Sequence, residues 1–214
     1  ESWPVKLRML GLKKTIISSA QRANCVLALS NTCRKVLTEH GIPKEKIIVT
    51  PNGVDSYWGD MSQNTNLLEN LRIVRPYILY VSHFYFYKNH ERLVKAYAQL
   101  LSTDKIKHQL VLIGNPYDKR CYDKVKRLIK RLDLNGDVIQ IPGENKENLK
   151  ELYQKTDLFV FPSLIENSPN ILLEAMMAGA PVVASSLAPM PEFCGKAAEY
   201  FNAMDTFDIA RKME

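Results

Sequence analysis

Two glutamates eight residues apart, Glu166 and Glu174, stand in the stretch DLFVFPSLIENSPNILLEAMMAGAPVVAS, residues 157–185. A carboxylate accepts two hydrogen bonds, so it can grip a pair of vicinal sugar hydroxyls. Between the two acids a helix begins. Its first N–H groups have no partner in the helix, and its dipole is positive at that end, which suits a phosphate. An anion cradle flanked by two diol clamps fits a nucleotide sugar. The same spacing also fits a solvated loop acid followed by an ordinary helix-surface acid.

The elements that must hold these acids are legible. Leu158 to Phe161 is a short continuous apolar run, as expected of a strand buried on both faces, and Pro162 ends it. Asn167 or Ser168 can cap the next helix, and Pro169 suits its first turn. Ile171, Leu172, Ala175 and Met176 lie at core-facing spacing. Gly179 stands where a helix-ending left-handed residue belongs. Pro181 to Ala184 then opens a second buried strand.

The frame S-L-I-E-N-S-P-N-I-L-L-E-A-M-M-A-G-A-P-V-V-A-S, with its E-x7-E core, resembles the donor-site signature of the retaining family-4 glycosyltransferases (group 1) of the GT-B fold. Loop, helix, the A-M-x-A-G-x-P-V turn and the following strand match in order. Many members carry Gly-Phe-Gly after the first Glu, where this chain has Asn167-Ser168-Pro169, as in a sub-type. The resemblance implies that Glu166 holds the donor sugar and Glu174 the ribose. Asn167, Ser168, Asn170 and Ile171 would line the donor around them.

The loops that follow strands are where doubly wound folds bind ligands. After the run Pro76 to Val81 comes Ser82-His83-Phe84-Tyr85-Phe86-Tyr87-Lys88-Asn89. Family-4 enzymes usually have Gly-Arg here, then Lys five residues after the Arg, and the two cations grip the donor pyrophosphate. By position Ser82 replaces the Gly, His83 the Arg, and Lys88 is kept. Lys88 also precedes a helix whose N-terminus favours anions. Histidine is partly charged near neutrality and makes no bidentate fork, so His83 fits a packed loop residue as well as a ligand. Pro142-Gly143-Glu144-Asn145 follows another strand. By resemblance Gly143 and Glu144 read the nucleobase through backbone groups, although a plain strand-to-helix turn has the same sequence.

The remaining chain supports an α/β architecture. From residue 76 strands alternate with amphipathic helices at 89–102, 119–132 and 146–155, then near 190–194. This pattern argues for a parallel sheet covered on both faces, a Rossmann-like doubly wound domain. Helix 89–102, capped by Asn89, would bury Leu93, Val94, Tyr97 and Leu101. Helix 119–132 would bury Val125, Leu128, Ile129 and Leu132. Residues 6–22 read as a helix or helix pair anchored by Leu7, Leu10, Ile16 and Ile17. Cys25 to Leu29 reads as a buried strand, Ser30 as the cap of the next helix, and Ile47 to Val49 as a further strand. The run V-L-A-L-S-N, a helix, then G-I-P-K-E-K-I-I-V-T-P-N-G-V-D resembles the end of the first GT-B lobe. The expected division is therefore 1–54, a partial N-terminal acceptor lobe; 55–75, linker and loop; and 76–214, the donor-binding lobe.

Composition narrows the function classes. The 214 residues are 46% hydrophobic and 24% charged, with net charge +6. A basic balance permits phosphates, nucleic acid or anionic membrane. The aromatic cluster Tyr80, Phe84, Tyr85, Phe86 and Tyr87 could stack bases, but packing in a core or lobe interface is the commoner use, and no nucleic-acid partner is expected. Cys25, Cys33, Cys121 and Cys194 are scattered, which suits a reducing cytosol and indicates no metal site. There is no G-x-G-x-x-G and no Walker loop, against a nicotinamide dehydrogenase or P-loop ATPase. No apolar run reaches the ~20 residues that span a bilayer, and no signal peptide is seen. The first residue is not Met and a helix is under way at Glu214, which reads as a piece of a longer protein.

The resemblance implies a hexosyltransferase-type enzyme using a UDP- or GDP-sugar donor, retaining anomeric configuration and needing no metal cofactor. Its acceptor would be a carbohydrate or lipid-linked hydroxyl in polysaccharide, lipopolysaccharide or glycolipid synthesis. Lys124, Lys126, Arg127, Lys130 and Arg131 form a basic helix face. It is either simply solvated or a peripheral contact with the cytoplasmic face of a membrane. An epimerase of the same fold, or a non-catalytic nucleotide-sugar binding module, are the alternatives. With catalysis between two lobes, this stretch alone is expected to bind donor without transferring it.

Overall fold

In the computed structural model the described residues are 3–62, 65–74, 76–104 and 106–214, with side chains described from residue 9 onward. They form two compact units, Glu1–Gly53 and Val54–Glu214.

The first unit holds helix α1 (Trp3–Arg22), strand β1 (Val26–Ala28), helix α2 (Asn31–Glu39) and strand β2 (Ile47–Val49). The two strands pair in parallel, Val26 opposite Ile47. Ser30 caps α2 as expected, its hydroxyl accepting from Cys33 N at 3.0 Å. Ala28, Ile42 and Ile47 make a small core with Ile17, Ala20 and Leu37 against it. Residues 6–22 belong to one helix rather than two, and Leu10 and Ile16 are exposed rather than anchoring it. The side chain of Leu7 lies outside the described residues. β1 is not buried on both faces either, since Leu27 is exposed.

The second unit is built on six parallel strands in the order β5-β4-β3-β6-β7-β8. They are β3 (Tyr77–Val81), β4 (Gln109–Ile113), β5 (Val138–Ile141), β6 (Leu158–Phe161), β7 (Val182–Ser185) and β8 (Glu199–Phe201). Every residue of β3 and β4 is buried, as a parallel sheet covered on both faces requires. The chain steps from β3 outward through β4 to β5, then returns to lay β6 on the other side of β3. The strand order therefore reverses between β3 and β6. Right-handed crossovers put α4 (His90–Ser102) and α5 (Lys119–Arg131) on one face. They put α6 (Lys146–Lys155) and α7 (Asn170–Met177) on the other. Helix α9 (Thr206–Met213) packs beside α4, and the short α8 (Met190–Cys194) joins β7 to β8.

The doubly wound fold is thus the expected one, with local corrections. Asn89 does not cap α4 through its side chain. It sits in the left-handed region at φ 62°, and its amide donates to the carbonyls of Pro162 (3.1 Å) and Ala203 (2.8 Å). Leu100, not Leu101, is the fully buried leucine at the end of α4. Leu132 follows α5 and is exposed, because the helix ends one residue earlier. Pro169 precedes α7 instead of lying in its first turn, and no side chain caps that helix. Gly179 does take the left-handed ending, at φ 82°. The stretch read as linker and loop, residues 55–75, contributes Trp58, Leu67 and Ile73 to the main core, along with a short helix α3 (Leu67–Asn70).

Candidate active site

The reversal point between β3 and β6 is where an open α/β sheet leaves a crevice at its carboxyl ends. The loops after those two strands carry Lys88 and Glu166. The Lys88 ammonium and a Glu166 carboxylate oxygen are 2.5 Å apart. Their side chains are only 14% and 11% exposed, so the pair is better insulated than a surface salt bridge. Lys88 Nζ also lies 5.3 Å from the Tyr87 ring centroid and 5.9 Å from that of Phe161.

The backbone around Lys88 is fixed on several sides. The buried Tyr80 hydroxyl donates to the Lys88 carbonyl at 2.8 Å. Leu164 N donates to the Tyr87 carbonyl at 2.8 Å, tying the loop after β3 to the loop after β6. Asn89 adds its bond to Pro162, in that same loop. The cation and carboxylate are therefore set by bonds between two loops, before any ligand arrives.

On the other side the loop after β3 is tied to the loop after β4. Phe84 N donates to the Asn115 carbonyl at 3.0 Å, and Asp118 N to the Phe84 carbonyl at 3.1 Å. Gly114 allows this approach: a Cβ there would lie 2.0 Å from the Ser82 carbonyl oxygen. Ser82 is buried beneath the site, its hydroxyl turned to the His83 carbonyl at 3.2 Å.

His83 is exposed, and its Nδ1 accepts from Asn115 N at 3.1 Å. Its ring lies 4.5 Å from that of Tyr117. Accepting at Nδ1 leaves the proton on Nε2. Partial desolvation and the Lys88 charge both lower its pKa, so it is neutral near pH 7. It stands near Lys88 as a neutral donor rather than a second cation.

Glu174 is half-buried in α7, where its carboxylate accepts from the buried Tyr153 hydroxyl at 3.4 Å. Desolvation raises its pKa, against the lowering effects of Tyr153 and Lys146. Lys146 opens α6, pairs with Asp55 at 2.9 Å and lies over the Tyr57 ring at 4.2 Å. Asn167 and Asn170 are exposed at the start of α7, with Ser168 and Ile171 part-buried, and Ser168 Oγ lies 3.3 Å from Asn170 Oδ1. Gly143 follows β5 beside Asn115, and Glu144 accepts from Asn148 Nδ2 at 2.7 Å. Residue types, spacing and the family resemblance together pointed to Lys88, Glu166 and Glu174. They missed Tyr80, Asn89, Asn115 and Lys146, which hold or flank them. The one available signal was Asn89, since asparagine is among the few residues that readily take the left-handed conformation.

The family model described as glycosyl transferases group 1 matches residues 68–202, more than half of the chain. The chain belongs to this family. A putative glycosyltransferase EpsF of Bacillus subtilis is 28% identical over 188 residues, 86% of this chain and 47% of the relative. The serotype-specific mannosyltransferase WbdA of Escherichia coli is 26% identical over 204 residues, 92% of this chain and 25% of the relative. The chain thus spans half or less of the length of these curated relatives. Among solved structures, Alr3699/HepE of Anabaena in complex with UDP and glucose superimposes with TM-score 0.83 at 21% identity. That match covers 92% of this chain and 55% of the other, and it shows the shared fold. The matched segment of this group 1 glycosyltransferase chain contains Lys88, Glu166 and Glu174 together with both loops that hold them.

Proposed function

We propose that the chain is the donor-binding part of a glycosyltransferase that moves a hexose from a UDP- or GDP-sugar to an acceptor hydroxyl, with retention of anomeric configuration. The observation that carries this is the preset Lys88–Glu166 pair at the reversal point of the sheet. Lys88 and the α7 N–H groups would stabilise the leaving diphosphate as its charge develops. Glu166 would hold the donor sugar, Glu174 the ribose, and the Gly143–Glu144 turn the base. His83, neutral and donating from Nε2, would add a hydrogen bond instead of charge. No metal takes part in this reading.

The acceptor is proposed as a growing polysaccharide, lipopolysaccharide or glycolipid at the cytoplasmic face of a membrane. Among the described residues no helix is long and apolar enough to cross a bilayer. Lys124, Lys126, Arg127, Lys130 and Arg131 are all exposed along α5, which supports peripheral contact with anionic headgroups.

Calorimetric titration of UDP and GDP, with and without a chelator, tests the reading. One of the two should bind equally well in both conditions. Absence of binding, or binding only with magnesium or manganese, would overturn it.

A further inference from the structure

Four rings form an arc, three on the loop that carries Lys88 and the fourth, Tyr117, on the loop after β4. Tyr87 and Tyr85 stack with centroids 5.5 Å apart and planes 11° from parallel. Tyr85 lies 6.1 Å from Tyr117, and Tyr117 lies 4.5 Å from His83. None of the three tyrosines belongs to the hydrophobic core or packs against it. Tyr117 is 64% exposed and Tyr87 36%. A tyrosine ring left in water forgoes the burial that is its main contribution to stability, so such a group marks a binding surface. The arc is continuous with the candidate active site, because Lys88 lies over Tyr87 and the Glu166 charge is felt at the Tyr87 hydroxyl.

The chemistry of the arc selects among occupants. It carries no charged side chain of its own, and the lysine at its end is held by Glu166. A nucleic-acid platform instead interleaves its rings with a basic track for the phosphates. A pyranose has an apolar C–H face and a rim of hydroxyls. It can lay that face on an aromatic ring while phenol groups meet its rim.

We propose that Tyr85, Tyr87 and Tyr117 form a stacking shelf for the pyranose rings of a neutral glycan, the acceptor of the sugar held at Glu166. This rests on the transferase reading above for the word acceptor, but not for the stacking itself.

The test uses the 214-residue chain with a mannotriose and a maltotriose as probes, with and without UDP and GDP. Saturation-transfer NMR reads the saccharide, and the tyrosine ring resonances read the protein. At least one trisaccharide should take up saturation from the rings. The double variant Tyr85→Leu/Tyr117→Leu should weaken that saccharide about tenfold or more and leave nucleotide affinity within about twofold. Phe86→Leu, an exposed ring outside the arc, should leave both unchanged. If the double variant melts, Tyr117→Leu alone repeats the measurement at the most exposed of the three tyrosines. If neither saccharide touches the rings in any condition, the shelf is refuted while the donor site stands. If nucleotide alone shifts the rings and the leucine variant weakens nucleotide, the arc belongs to the base. If saccharide binds and neither nucleotide does, the donor reading fails and the stacking survives it.

Discussion

Lys88 and Glu166 are 78 residues apart in the chain, yet they close a 2.5 Å ion pair over the point where the sheet reverses its strand order. Each comes from a loop whose position the other loop fixes, through Leu164 N on the Tyr87 carbonyl and the Asn89 amide on that of Pro162. A diphosphate arriving at Lys88 would therefore share a cation that is already occupied. The carboxylate in turn is released to accept sugar hydroxyls.

Breaking this pair should separate stability from binding. Lys88→Met leaves a part-buried carboxylate without its cation and should cost about 1–3 kcal/mol in urea unfolding, with nucleotide binding lost. Glu166→Gln should cost about the same and leave UDP or GDP affinity unchanged or higher, since Lys88 is freed. It should also abolish any preference for the nucleotide sugar over the bare nucleotide. Nucleotide affinity that survives Lys88→Met in a folded protein would remove Lys88 from the phosphate site.

Gly114 is the point of closest approach between the loops after β3 and β4. Gly114→Ala would set a methyl group against the Ser82 carbonyl, which is backbone and has little room to move. The expected loss is about 2–4 kcal/mol, measured by thermal or urea melts. Gly136→Ala serves as the control, since nothing lies within 4 Å of its added Cβ. Equal stabilities for the two variants would show that the loop yields freely.

The strands and helices of the second unit were legible because their patterns are local. Tyr77 to Val81 and Leu110 to Ile113 are continuous apolar runs, the first opened after Pro76 and the second closed by Gly114, and a parallel sheet buried on both faces has that look. The Lys88–Glu166 pair was not legible, because it depends on β6 returning to the far side of β3, which no local period encodes. The tie between His83 and Asn115 depends likewise on the loop approach at Gly114. Within residues 55–75 the core positions Trp58, Leu67 and Ile73 are not legible, because they enter the core singly, with no repeating spacing. Asn89 looked like a cap because asparagine commonly is one. Here its amide is used to brace two distant loop carbonyls.

His90 should make the fold acid-sensitive in a way that one substitution reveals. It is buried, its ring stacked 4.2 Å from that of Phe84 and tilted against that of Tyr80 at 4.8 Å. Desolvation lowers its pKa from 6.5 to about 3. The folded state keeps it neutral while the unfolded chain protonates it below pH 6.5, so its contribution is present above that value and lost as pH falls toward 3. The slope approaches about 1.4 kcal/mol per pH unit from this group alone. Melts of wild type and His90→Gln between pH 7 and pH 4 should therefore converge as the pH drops. Parallel curves would mean that His90 is hydrated and titrates normally in the folded state.

Glu174 should show a trade between stability and binding. Its folded pKa is raised, chiefly by desolvation, so the folded state prefers the protonated acid. That preference holds at low pH and is lost as pH rises through the raised value, which leaves an ionised, half-buried carboxylate as a cost near neutrality. The 3.4 Å contact from the Tyr153 hydroxyl is too long to repay it in full. Glu174→Gln keeps an acceptor for Tyr153 and removes the charge. It should raise the melting temperature by about 1–2 °C at pH 7, with the gain fading toward pH 4.5. If the carboxylate holds a ribose diol, the same substitution should weaken UDP or GDP binding by about one to two orders of magnitude, at roughly 1.4 kcal/mol per factor of ten. A more stable variant that binds nucleotide as tightly as wild type would remove Glu174 from the site. A less stable one would make it a structural partner of Tyr153 instead.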